Sequence, residues 1–253
     1  MRNKILKCDN INGINFSVLE PSINVFIGKN NDEIIKLFKN MVGIDECYGR
    51  VLLNNIDISN TEKIGLYMQN LNLSEGTVFD NIMEPLKNIG NSDSVARKKV
   101  YAITKKIDIN NVLYKNIDEL SFSQKKLVSF AKTVVIEPDV LLLYDIFSSL
   151  DKYYRNKVVE CIKELKIKDD TIIIFASNDP EDYLLADRMI IMLEDRVVIN
   201  DSLKTAFENQ EKLFNSNKIK IPFIVDLSYK LMSYELINHV IYDIEDMVDE
   251  LWK

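Results

Sequence analysis

The run Asp139-Val-Leu-Leu-Leu-Tyr144 constrains this chain more than any other feature. Successive side chains of a strand point to opposite faces, so a strand that is apolar throughout is buried on both. A mostly parallel sheet with helices on each side supplies that environment. Ser22-Ile-Asn-Val-Phe-Ile27, Lys63-Ile-Gly-Leu-Tyr-Met68, Thr171-Ile-Ile-Ile-Phe-Ala176 and Arg188-Met-Ile-Ile-Met-Leu193 read as further buried strands. Helical periodicity lies between them. Ile34, Ile35, Leu37, Phe38, Met41 and Val42 share one face, with Gly43 as the stop. Residues 79–88 and 92–106 read as helices, the second opening at Ser92 or Asp93. A helix over Ser123 to Ile136 aligns Leu127, Phe130, Ala131 and Val134, and Pro138 ends it. The helix over 151–166 buries Val158, Cys161, Ile162 and Leu165. Alternation of this kind defines an α/β fold around one parallel sheet.

Composition narrows the function. The 253 residues suffice for one large α/β domain or two small ones. A net charge of −7 argues against a nucleic-acid binder, which shows a basic patch or stripe. No apolar run reaches the roughly 18–20 residues that span a bilayer, and the opening MRNKILKCDNINGINF is too polar for a signal-peptide core. Cys8, Cys47 and Cys161 are scattered and odd in number, which suits a reducing compartment. His239 is the one histidine, which rules out His-based metal sites and argues strongly against a Ser-His-Asp hydrolase. Average usage of about 7% predicts roughly 18 glycines. The chain has 7, and none follows Gly90. A glycine-rich phosphate loop is therefore constrained from the outset.

The last 45 or so residues read differently, as a small helical appendage packed on the domain or on a partner. One helix opens at Pro222, with Phe223, Leu227 and Leu231 on a stripe. A final helix has Asp243 as cap, Glu245 and Asp246 in its first turn, and Ile244, Met247, Val248 and Leu251 as its stripe.

Several segments, in order, resemble the ATPase subunit of an ABC transporter. Glu119-Leu-Ser-Phe-Ser-Gln124, a helix, and then Glu137-Pro-Asp-Val-Leu-Leu-Leu-Tyr-Asp-Ile-Phe-Ser-Ser-Leu-Asp151 are similar to the run from LSGGQ to LLLDEPTSALD. Gln69 after a strand resembles the Q-loop, and Thr77-Val-Phe-Asp-Asn-Ile82 resembles the segment beyond that loop in importers. Phe175-Ala-Ser-Asn-Asp-Pro180 resembles the H-loop segment, and Ala186-Asp-Arg-Met-Ile-Ile-Met192 the strand after it. The tail Ile219-Lys-Ile-Pro-Phe-Ile-Val-Asp-Leu is similar to ATPases of energy-coupling-factor (ECF) transporters. The resemblance implies an ABC-ATPase (P-loop NTPase) fold over 1–205, with a helical subdomain at about 70–136 and a helical extension over 206–253. It also implies ATP and magnesium as cofactors.

The family's chemistry needs a Gly-rich loop whose N–H groups cradle phosphates, a lysine on the β- and γ-phosphates, and a Ser/Thr on magnesium. Gly28 begins that loop. Along G-x-x-x-x-G-K-[ST], the second glycine falls on Glu33, the lysine on Ile34 and the hydroxyl on Ile35. Losing the lysine alone removes a charge-assisted contact of about 1.5–3 kcal/mol. Asp32 and Glu33 bring carboxylates to a place where phosphate oxygens would sit, and as first-turn acids they favour a helix start. Gly28, Lys29 and Asn30 are what remains of the nucleotide loop, with Lys29 able to fold back onto a phosphate.

The magnesium-binding Asp falls on Tyr144 and the general-base Glu on Asp145, one methylene shorter. Asn178 occupies the H-loop histidine position; it donates to an oxygen but exchanges no proton. Asp145 and Asn178 are thus replaced catalytic positions. Ser121 and Asp151 match residues that act in trans across the family's dimer, and each equally suits a helix cap. Phe122 and Ser123 stand where glycines allow close approach.

The expectation is a non-hydrolysing ATP-binding-cassette subunit of an ECF-like importer, at the inner face of the cell membrane. It pairs with an intact second ATPase subunit and a transmembrane permease. The alternatives are an active ATPase with an unconventional loop, or a regulator or scaffold outside transport.

Overall fold

The computed structural model describes residues 4–59, 61, 63–68 and 73–252. The chain begins with β1 (Leu6–Ile11), β2 (Ile14–Val18), β3 (Ile23–Gly28), α1 (Asn31–Met41), β4 (Arg50–Leu53), β5 (Ile56–Asp57) and β6 (Ile64–Tyr67). Then come α2 (Val78–Asn88), α3 (Asp93–Lys106), α4 (Phe122–Val134), β7 (Val140–Tyr144) and α5 (Lys152–Lys168). β8 (Ile172–Ala176), β9 (Arg188–Leu193) and β10 (Arg196–Ser202) precede α6 (Leu203–Asn209), α7 (Glu211–Asn217), α8 (Phe223–Ser233) and α9 (Ile244–Leu251).

The larger sheet has the order β10-β9-β3-β8-β7-β6. β9, β3, β8, β7 and β6 run parallel, and β10 adds an antiparallel edge. All five positions of β7 and of β8 are buried, the environment that their uninterrupted apolar runs require. One apolar cluster covers the face carrying Val25, Leu141, Leu143 and Phe175 with α2 to α5. The opposite face, carrying Phe26, Leu142 and Ile174, packs on α1. That second cluster also holds Leu6, Cys8, Phe16 and Val51, from an antiparallel sheet of order β2-β1-β4-β5. The smaller sheet was not anticipated. Its strands are short, and β1 alternates between buried and exposed positions, so its residues read as a polar N-terminal stretch.

Two of the anticipated stripes are corrected in the tail. In α8 the buried residues are Ile224, Val225, Ser228 and Tyr229, while Phe223 is exposed. Polar anchors set that rotation. Ser228 Oγ donates to the Ile224 carbonyl at 2.8 Å and accepts from Ile241 N at 3.1 Å, and Tyr229 Oη donates to the Phe207 carbonyl at 2.5 Å. Leu227 and Leu231 flank the core half-buried. In α9 only Met247 of the expected stripe is buried; Ile244, Val248 and Leu251 face outward. Asp243 caps α9 as anticipated, accepting from Glu245 N at 2.7 Å.

Candidate functional site

In an open parallel sheet, ligands are taken at the carboxyl ends of the strands. Here the ends of neighbouring β3, β8 and β7 bring Gly28, Ala176 and Tyr144 to one place. They line a cavity of about 250 Å³ together with Lys29, Asn31, Ile34, Ser177 and Asn178.

The β3–α1 connection differs from a phosphate cradle. Only Lys29 and Asn30 separate the strand from the helix. Asn30 is the N-cap, its Oδ1 accepting from Asp32 N at 2.9 Å, and Asp32 and Glu33 fill the first turn. The local sequence explains this. An Asn cap, two first-turn acids and the apolar face of Ile34, Leu37, Phe38 and Met41 all favour winding the helix from Asn31. The positions that would carry the loop's second glycine, lysine and hydroxyl are therefore inside helix. Ile34 is 3% exposed. Its Cγ1 lies only 2.9 Å from where a Cβ on Gly28 would stand, so this side chain occupies the space that the glycine leaves open.

Across the cavity, Asn31 Nδ2 donates to Asn178 Oδ1 at 2.9 Å. Asn178 also lies beside the buried Tyr144 in the cavity lining. That phenol titrates above its ordinary range, first from burial and then from the nearby Asp145 charge, with Asn178 opposing. A neutral phenol thus stands at the expected metal carboxylate, beside the amide that is bonded to the start of α1. Among the described residues no group of three or more His, Cys, Asp or Glu side chains is placed to hold a metal.

Asp145 is buried at the end of β7 with φ +54°, a left-handed conformation that Asp adopts more readily than most residues. Its N–H bonds the Ala176 carbonyl at 2.8 Å, and its Oδ2 accepts from Ser148 Oγ at 2.7 Å. Lys126, fully buried, donates to the carbonyls of Asp145 and Ser148 and to Ser148 Oγ. Burial holds this ammonium below the usual lysine range, with the Asp145 charge opposing. Sequence reasoning missed this network. Lys126 follows Ser123, Gln124 and Lys125 in the polar start of α4 and so reads as a surface lysine; only its partners in the turn after β7 show what it does. Beyond β8, the buried Asp182 accepts from Arg155 and Ser177. Burial still pushes its carboxyl above the usual range.

Ser121 and Asp151 both cap helices. Ser121 Oγ accepts from Gln124 N at 3.2 Å while Gln124 Oε1 accepts from Ser121 N at 3.0 Å, a capping box on α4. Asp151 Oδ1 accepts from Tyr154 N at 2.9 Å and starts α5. Both residues are exposed, and Ser123 Oγ, donating to the Ser149 carbonyl at 2.9 Å, ties these two turns together. Gln69 lies outside the described residues.

A parallel sheet whose central strand runs through a short turn into a helix, with site residues at three strand ends, has the architecture of a P-loop NTPase. The family model for "ABC transporter" matches residues 11–147, and the chain belongs to that family. The energy-coupling factor transporter ATP-binding protein EcfA1 of Mycoplasmopsis synoviae is 26% identical over 234 residues, spanning 89% of this chain and 88% of its own. EcfA1 of Oenococcus oeni is 25% identical over 255 residues, spanning 96% and 91%. Among solved structures, CbiO1 of Clostridium perfringens, described as part of the ABC transporter complex CbiONQ, superposes with a TM-score of 0.70. It shares 25% identity and covers 89% of this chain and 99% of its own. The ABC-ATPase fold anticipated from the motifs is thus the fold observed.

Proposed function

We propose that this chain is an ATP-binding-cassette subunit of an ECF-type importer that does not hydrolyse ATP itself and serves an intact second ATPase subunit. The observation that carries this reading is Ile34 packed over Gly28 within a helix that begins at Asn31. Magnesium-ATP does not fit those residues. The lysine position is an apolar core residue, and the metal position is a buried phenol. Asp145, at the general-base position, is hydrogen-bonded within its own turn. The family as a whole binds ATP and magnesium; the loss concerns this chain's own loop. Relatives named as ECF ATP-binding proteins, and a structural neighbour from a multi-subunit transporter, support docking on a membrane permease. No helix among the described residues is long and apolar enough to cross a membrane, so such docking would be peripheral, on the inner face. In this reading 1–205 is the cassette, with its helical part at about 70–136, and 206–253 is the extension. The exposed Ser121 and Asp151 face the partner's nucleotide.

The test is co-purification with a candidate ATPase and permease, followed by turnover measurements. Replacing the partner subunit's general-base glutamate should abolish hydrolysis, while Asp145→Asn in this chain should leave the rate within about twofold. ATP hydrolysis by the isolated chain that Asp145→Asn abolishes would overturn the reading and favour the unconventional ATPase.

A further inference from the structure

A second cavity, of about 540 Å³, opens where α1 ends and the chain turns toward β4. The eleven residues of α1 put it roughly 16 Å from the β3–α1 turn. Asn40 lines it from the last turn of the helix. This side chain is 4% exposed, and its Oδ1 has no hydrogen-bond partner among the described residues. A buried acceptor without a donor costs stability, so such an atom calls for an explanation. Asp45 and Glu46 line the same cavity, both exposed. Neither carboxylate has an ion-pair partner among the described residues. No lysine or arginine is in the lining, and Lys39, the basic residue of the last turn, lines a different groove beside Pro85 and Thr133. The carbonyl end of α1 adds the negative pole of the helix to the same wall. The wall is also held in place. Gly43 N bonds the Asn40 carbonyl at 3.1 Å, and Ile44 N the Lys39 carbonyl at 3.0 Å. Tyr48 N bonds Asn12 Oδ1 at 3.1 Å, while Asn12 N returns a bond to the Tyr48 carbonyl at 3.0 Å.

We propose that this cavity binds an aliphatic diamine, one ammonium against Asn40 Oδ1 and the end of α1, the other at the rim with Asp45 and Glu46. The wall offers acceptors and negative charge and lacks a cation, which selects a ligand rich in N–H donors. Size separates an organic cation from a metal. The volume lies within the roughly 300–1,000 Å³ of ordinary ligand pockets, and a bare ion would leave most of it empty. Among the described residues no group of three or more His, Cys, Asp or Glu side chains is placed to hold a metal. Tyr48, 84% exposed, adds an aromatic ring to the rim, and an ammonium is attracted to such a face. The orphan acceptor then has a purpose: the ligand supplies the donor that the fold withholds. Because the cavity lies at the far end of α1, the proposal does not depend on whether the chain binds or hydrolyses ATP.

Calorimetric titration of the full chain with putrescine, at low salt, tests it. Saturable one-to-one binding is expected, weakening as salt rises. Butylamine, the same carbon chain with one ammonium, should bind about tenfold or more weakly. Asp45→Asn with Glu46→Gln should lower putrescine affinity by a similar factor. Asp246→Asn with Asp249→Asn removes the same charge from the exposed side of α9 and should bind as the parent does. Asn40→Leu gives a readout of opposite sign. Without the orphan acceptor the ligand-free protein should melt higher than the parent, while putrescine should bind more weakly and raise its melting midpoint less. Circular dichroism confirms that each variant is folded. Absence of saturable putrescine binding overturns the site, as does affinity that is unchanged in both the Asp45/Glu46 and the Asn40 variants. One-to-one binding of calcium that displaces putrescine also overturns it, in favour of a metal.

Discussion

Replacing Ile34 by Lys restores the family's motif on paper, and the structure predicts that it restores nothing. Ile34 is 3% exposed, packed with Phe26, Leu37 and Phe38 beneath the sheet and directly over Gly28. Burial of such a side chain stabilises by about 1.5–3 kcal/mol. A lysine there loses that burial, or carries its charge out past the cavity rim. In a chain of this size each kcal/mol moves the melting midpoint by about 2–4 °C, so Ile34→Lys should melt about 3–12 °C below the parent. In an intact loop, a lysine–phosphate contact of about 1.5–3 kcal/mol would tighten ATP roughly tenfold to a hundredfold. Here the helix already occupies Asn31 to Glu33, so the amides that should cradle the phosphates are committed to helix geometry. Melting followed by circular dichroism, with and without millimolar magnesium-ATP, should show the drop and no ATP-dependent recovery. A variant that melts like the parent and rises by several degrees with ATP would refute the packing argument and the loss of the loop together. Such a rise is what ligand linkage produces when ATP is far above its Kd.

Other perturbations probe the scaffold around the site. Lys126→Met keeps most of the side-chain volume but leaves buried carbonyls of Asp145 and Ser148 short of a donor. It should cost about 2–4 kcal/mol, read as a lower urea midpoint at unchanged slope, and a change below about 0.5 kcal/mol would contradict the assigned network. Gly49→Ala should destabilise by about 1–3 kcal/mol in the same assay. Gly49 has φ +104°, and an added Cβ would come within 2.3 Å of the Asn10 carbonyl oxygen. Burial pushes the phenols of Tyr183 and Tyr242 up to about 12, from an ordinary value near 10. A phenol protonated in the fold but ionising earlier when unfolded gives stability that is full below pH 10 and lost as pH rises toward 12. The melting midpoint should therefore fall across that window, and Tyr183→Phe should flatten the fall; an unaltered slope would speak against this assignment.

Periodicity carried the parallel core well. β7 and β8 are buried along their whole apolar runs, β9 is buried over Met189 to Met192 with Leu193 half-buried, and α5 buries the four residues that its spacing predicted. The tail shows the limit of that argument. A stripe marks which residues are able to be buried, but in α8 the bonds of Ser228 to Ile241 and of Tyr229 to Phe207 hold a neighbouring face against the core. The capping roles of Ser121, Asp151 and Asp243 were legible because a cap bonds only to its own first turn. Lys126, Ser148 and Asp182 were not legible, since each finds partners 5 to 27 residues away in the chain.

The sequence alone determined the parallel α/β fold and the ABC lineage of the motifs, and its spacing set Ile34, Tyr144 and Asp145 at the positions proposed to have held the lysine, the magnesium ligand and the general base. These rest on side-chain type and local spacing, which are read directly. Only the tertiary structure decided what surrounds those positions. Ile34 closes over Gly28, Asn178 bonds Asn31 beside Tyr144, and the tail brings Lys218 and Lys220 to the strand ends. Those neighbours lie 3 to 192 residues from Gly28 along the chain, and the packing of the sheet and the turn at Lys218 bring the distant ones to it.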